Sequence, residues 1–144
     1  MPEPTSPSAD SPLDAALARV GDRWSFLLVE ALLDGPLRFN ELGARVPAIA
    51  PNILSQRLRR LEEEGVLRAT PYSERPPRLA YALTEDGHEL AGVLRLLAGW
   101  GAQRGEGSEA PRHAACGSAL EARWYCATCA RAIEETESTT LRYA

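Results

Sequence analysis

The sequence predicts a mainly α fold of the α+β class, and three observations carry that prediction. Stretches of helical period recur five times, one hairpin of period two interrupts them before the last, and Gly, Pro or capping residues mark the boundaries. The length of 144 residues suits one ordinary domain with a small appendage, long enough to bury a core without obligatory staples.

The elements follow in order. Residues 1–10, rich in Pro, Ser and acids, read as a disordered tail. Ser11 can cap a first helix that has Pro12 in its first turn and continues as "LDAALARV". In "RWSFLLVEALLDG", Trp24, Leu27, Leu28, Ala31 and Leu32 share one face, and the run stops at Gly35-Pro36. A short helix, "FNELGARV", and a Pro-bounded turn, "PAIAP", lead into "PNILSQRLRRLEEEG", a helix with Pro51 at its start and Gly65 as its stop. "VLRATPY" and "RLAYALT" alternate as strands around "SERPP", and Pro71 marks the first of them as an edge. Thr84 can cap the last helix, "EDGHELAGVLRLLAGWG". Residues 11–104 thus form one domain, 105–112 a linker, 113–133 a cysteine-bearing segment and 134–144 a flexible tail.

Two short helices joined by a tight turn and followed by a hairpin are the pattern of a winged helix-turn-helix with a two-stranded wing. Leu54, Leu58 and Leu61 define the buried side of the 51–64 helix, which leaves Asn52, Ser55, Gln56 and Arg59 opposite. Their chemistry suits base edges in a major groove: Arg pairs bidentately with guanine, and Asn or Gln with adenine. Arg57 and Arg60 lie at the flank, where they are expected on phosphates. Glu62, Glu63 and Glu64 confine contact to the helix's first half. Arg75 and Arg78, in a wing at 73–78, suit the backbone or the minor groove, and Arg38 and Asn40 beside the third helix complete the expected DNA-binding set.

A net charge of −4 argues against nucleic acid only if the charge is spread evenly, and it is not. Residues 36–60 hold five arginines against one acid, Glu41. Other classes find little support. No Gly-rich phosphate loop, nucleophile elbow or histidine paired with a nucleophile stands in the chain, so no enzyme is expected. No apolar run approaches the roughly 20 residues of a membrane helix, and "MPEPTSPSADSP" lacks a basic or apolar leader region, so a cytoplasmic protein without membrane association is expected.

The motifs "GDRWSFLL", "GPLRFNEL", "LSQRLRRLEEEGVL", "PPRLAYALTEDG" and "LAGWG", in this order over residues 11–101, resemble those of HxlR-type regulators, a bacterial branch of winged-helix proteins akin to the MarR family. The resemblance implies a homodimeric transcriptional regulator on a pseudo-palindromic operator of double-stranded DNA, dimerised through its first and last helices. Many members carry a sensor cysteine in a Cys-Pro context before the first helix. Here that context reads Ser11-Pro12-Leu13, and a hydroxyl cannot supply the thiolate. The apolar stripe of the last helix, Leu90, Leu94, Leu97 and Trp100, is the expected dimer interface, because so small a core leaves little to cover it. The operator and any small-molecule or redox effector stay unspecified, although a cavity between the last helix and the wing would suit one.

All three cysteines fall in "HAACGSALEARWYCATC". His113-x2-Cys116, nine residues, then Cys126-x2-Cys129 offers four ligands in two pairs, the complement of one structural zinc ion per chain in a minimal zinc-binding hairpin. A thioredoxin-type dithiol would need a βαβ setting that this segment lacks. A zinc-thiolate redox sensor, or a protein-interaction adaptor built on the same scaffold, are the alternatives to the plain regulator. His88 has no ligand-spaced neighbour and reads as a surface residue of the last helix.

Overall fold

A computed structural model of the chain describes residues 11–105 and 109–134. The expected tails at 1–10 and beyond 134, and the middle of the expected linker, lie outside the described residues. The element order is α1 (Pro12–Val20), α2 (Arg23–Leu32), β1 (Leu37–Arg38), α3 (Phe39–Arg45), α4 (Pro51–Glu63), β2 (Leu67–Glu74), β3 (Pro77–Leu83), α5 (Glu85–Ala102), β4 (Trp124–Cys126) and β5 (Arg131–Ile133). The chain forms two compact units, Met1–Leu94 and Arg95–Ala144, whose boundary falls inside α5.

The first unit is built around leucines. Leu28 and Leu32 of α2, Leu42 of α3, Leu54, Leu58 and Leu61 of α4, Leu67 of β2 and Leu83 of β3 are all buried in one cluster. Each such side chain removed from water contributes about 1.5–3 kcal/mol. On α2 the buried face is displaced from the expected stripe: Ser25 and Val29 join Leu28, Ala31 and Leu32, while Trp24 and Leu27 are only half-buried. Ser25 is tolerated at zero exposure because its hydroxyl donates to Asp22 Oδ2.

The caps formed as expected at two places. Ser11 Oγ accepts from the Asp14 N–H at 3.0 Å. Thr84 Oγ1 accepts from the Gly87 N–H at 3.2 Å and donates to the Gly65 carbonyl at 2.6 Å, which ties the start of α5 to the end of α4. Gly87 permits that junction, since a Cβ there would lie 2.1 Å from the Val66 carbonyl oxygen.

The sheet corrects the expected wing in two respects. It has three strands in the order β1-β3-β2, because Leu37 and Arg38 pair antiparallel with Tyr81 and Ala80. The hairpin is also tighter than a 73–78 loop: Ser73 pairs with Arg78 and Glu74 with Pro77, which leaves Arg75 and Pro76 as the turn. The register shift between Pro71 and Ser73 absorbs the proline's missing donor, and Pro77 is accepted because it opens its strand. β2 is an edge strand, as Pro71 required.

The apolar stripe of α5 divides. Leu94 is buried in the chain's own core, and Leu90 is half-buried against it. Leu97 and Trp100 remain about half-exposed, at 48% and 57%, together with Val93 and Leu96.

In the second unit β4 and β5 pair antiparallel, Trp124 with Ile133 and Cys126 with Arg131. A bridge between Arg112 and Ala119 closes another hairpin, and the Leu120 N–H donates to the Pro111 carbonyl at 2.9 Å. Pro111 and Arg112, placed by the sequence in the expected linker, take part in this hairpin. Among the described residues no helix is long and apolar enough to cross a membrane.

Candidate nucleic-acid interface

α4 is positioned by its own periodicity. Leu54, Leu58 and Leu61 are at most 2% exposed, and Gly65, at φ +74°, ends the helix in the left-handed conformation that glycine takes without penalty. With that side fixed in the core, Asn52, Ser55, Gln56 and Arg59 all stand exposed on the other. Among the described residues no neighbouring segment covers them. The turn before the helix carries Ala48 at φ +70°. The N-cap residue, Ala50, makes no side-chain hydrogen bond, and Pro51 follows it at N1.

The flanking arginines are differently placed. Arg57 Nε donates to Asp22 Oδ1 at 3.0 Å and is only partly exposed. Arg60 reaches the Ala18 carbonyl at 3.3 Å and the Glu64 carboxylate at 2.7 Å. Both of these expected phosphate ligands therefore hold the helix to α1 and α2, and Glu64 is shared with Arg19 at 3.1 Å. Two of the three glutamates are occupied in the same way, since Glu62 accepts from the Ala69 N–H at 3.3 Å.

Asp22 is the centre of this arrangement. Its Oδ1 accepts from the N–H groups of Trp24 and Ser25, both at 3.1 Å, as well as from Arg57. Partial burial would raise its pKa, but the hydrogen bonds from Ser25 and the Arg57 charge outweigh burial and hold the carboxyl below the ordinary carboxylate range.

On the wing, Arg75 lies in the turn, and Arg78 is exposed on β3. Arg38 is stacked over the Tyr72 ring at 4.4 Å, and Asn40 is exposed at the start of α3. Arg38, Asn40 and Arg78, but not Arg75, border a cavity of about 560 Å³ that Tyr72 and Tyr81 also line. It opens between β1, the start of α3 and the wing. Burial, and behind it the Glu62 charge, push the Tyr81 hydroxyl above its ordinary pKa, so it stays a donor.

The expected metal ligands stand as two pairs. His113 Nδ1 lies 3.3 Å from Cys116 Sγ. Hydrogen bonds from Ser118, and then from His113, lower the Cys116 thiol to about 7. Hydrogen bonds from the Cys129 backbone and side chain lower the Cys126 thiol. Among the described residues no disulfide joins the cysteines, and no group of three or more ligand-type side chains is gathered closely enough to hold an ion. His88 is exposed on α5.

A helix-turn-helix whose second helix presents polar side chains outward, followed by a basic-tipped wing, defines the winged-helix transcriptional regulators. Within that class the chain belongs to the HxlR-like helix-turn-helix family, which it matches over residues 19–109. It is 37% identical over 97 residues to an HTH-type transcriptional regulator of Methanothermobacter thermautotrophicus, spanning 67% of this chain and 74% of that one. It is also 38% identical over 122 residues to one of Mycobacterium tuberculosis, spanning 82% and 77%. That second match is too long to fit within residues 19–109 and so reaches into the cysteine segment. Among solved structures, the redox regulator HypR in its reduced form superposes with a TM-score of 0.61 at 33% identity, over 65% of this chain and 93% of that one.

Proposed function

We propose that the protein binds a pseudo-palindromic operator as a homodimer, with α4 in the major groove of each half-site and the wing along the adjacent backbone or minor groove. The observation that carries this reading is the exposure of Asn52, Ser55, Gln56 and Arg59 on the helix whose opposite side is locked by three buried leucines. Arg59 reads a guanine, and Asn52 and Gln56 read adenines. The uncapped start of α4 adds backbone N–H groups and the helix dipole, which favour a phosphate. Arg75 and Arg78, with Arg38 and Asn40 behind them, contact the backbone. Arg57 and Arg60 orient α4 and leave phosphate contact to those residues.

Dimerisation rests on the half-exposed Leu96, Leu97 and Trp100 of α5. A partner chain that covers these side chains places two recognition helices about one DNA turn apart. Ser11 is engaged as the α1 cap, so a thiol switch at that position does not operate here.

Selection of duplexes from a random pool tests the reading. The expected product is an inverted repeat with half-sites roughly 10 base pairs apart, bound with an affinity that falls steeply with salt as counterions are released. An absence of enrichment, or binding indifferent to salt, contradicts it.

A further inference from the structure

Operator binding leaves one feature of the chain without a role, the cysteine segment. Its two hairpins share one plan. In the first, His113 and Cys116 stand three residues apart, Gly117 has a φ of +72°, and the His113 N–H donates to the Ser118 carbonyl at 2.8 Å. In the second, Cys126 and Cys129 stand three residues apart, Ala130 has a φ of +52°, and Arg131 pairs with Cys126. Each turn thus has donor atoms at its first and fourth positions, a left-handed residue at the fifth and the ladder partner of the first at the sixth. Ordinary hairpin closure does not ask for this, since two-residue turns suffice. Ala130 even adopts a region that costs a residue with a Cβ roughly 1–2 kcal/mol.

The segment also lacks the means to hold itself together. Among the described residues from 109 to 134 none is buried, and Trp124, Tyr125 and Leu120 are 66%, 65% and 51% exposed. A lone two-stranded hairpin is marginal in water, and a segment this small needs a staple.

We propose that His113, Cys116, Cys126 and Cys129 bind one structural zinc ion, each hairpin supplying half of a tetrahedral site. Three thiolates and one imidazole make a closed coordination sphere with no place for a reactive water. The spacing within the first pair fits: bonds of about 2.3 Å to sulfur and about 2.0 Å to nitrogen at a tetrahedral angle set S and N roughly 3.5 Å apart, against the 3.3 Å between His113 Nδ1 and Cys116 Sγ. As the Zn–S bonds form, each thiol still protonated releases its proton to solvent, the imidazole donates a lone pair, and the ion stays divalent. No third ligand-type side chain yet joins either pair among the described residues. The two hairpins therefore close on the ion as it binds, and the folding of this segment is coupled to the metal.

The test uses the full chain, produced with zinc and dialysed against metal-free buffer, with metal content read by mass spectrometry. About one zinc per chain is expected, falling to about none in C126S/C129S. Cobalt(II) in place of zinc should give the intense visible bands of a tetrahedral thiolate site. His113→Ala should weaken zinc by more than the roughly 10- to 100-fold that loss of an outer-shell partner costs, and His113→Cys should restore it, which separates ligation from misfolding. Absence of stoichiometric metal in the parent protein, or equal metal in parent and C126S/C129S, overturns the proposal. So does immediate reaction of all three thiols with a thiol reagent in the zinc-loaded chain. Duplex binding measured on C126S/C129S should match the parent, so a failure here and a failure of operator recognition are told apart.

Discussion

Replacing Asp22 by alanine should destabilise the first unit more than any other exposed-side substitution on α2, and the size of the loss follows from its partners. The carboxylate caps α2 through the N–H groups of Trp24 and Ser25, and loss of such a cap costs about 1 kcal/mol. It also accepts from the Ser25 hydroxyl, which has zero exposure, and leaving that donor without an acceptor costs about 1–3 kcal/mol. The pair with Arg57 is partly exposed on both sides and adds at most about 1 kcal/mol. The total is about 2–5 kcal/mol, read from urea unfolding by circular dichroism at fixed chain concentration. Asp22→Asn keeps an acceptor for the cap and a polar partner for Ser25, so it should cost under about 1 kcal/mol. The double variant D22A/S25A should lose less than the sum of the single losses, because the stranded hydroxyl is gone. The pH dependence has a definite sign. The folded-state pKa of Asp22 is lowered, so its contribution is present above the unfolded value and is lost as pH falls through the folded one. The stability gap between the parent and D22N should therefore close in acid below roughly pH 4. Equal losses for D22A and D22N, or a gap that widens in acid, would refute this account of how α4 is tied to α2.

Three further outcomes follow from the packing. Gly87→Ala should destabilise by about 1–3 kcal/mol in the same unfolding assay, since its Cβ would meet the Val66 carbonyl at 2.1 Å and Leu83 at 3.1 Å. Leu97→Glu should shift the protein from dimer to monomer in sedimentation while sparing the helical signal, whereas Leu94→Ala, in the core, should cost about 2–5 kcal/mol of stability. Arg75→Ala should weaken all duplexes alike and reduce the salt slope by about one ion.

Much of this was legible in the sequence wherever a single element decides it. The burial of Leu54, Leu58 and Leu61, and with it the exposure of Asn52, Ser55, Gln56 and Arg59, is a consequence of helical period alone. Ser11 and Thr84 cap as their positions implied. What escaped depends on distant partners. β1 is two residues long, too short for any period, and exists because β3 offers an edge. Arg57 and Arg60 meet groups 35 and 42 residues away, so local pattern could assign them only to a flank. Ser25 left a readable signal that was missed: an Asp three residues before a Ser at a helix start marks a polar side chain that can be buried with its partner. Leu90 and Leu94 lie in one stripe with Leu97 and Trp100, and periodicity alone does not tell which of them sit deep in the core and which stay half-exposed.

If α4 reads bases, the operators selected by the parent protein and by Arg59→Ala should share the same inverted repeat with one symmetric pair of guanine positions relaxed, a loss of about 1–3 kcal/mol of discrimination there and little elsewhere. An unchanged preference at every position would contradict it.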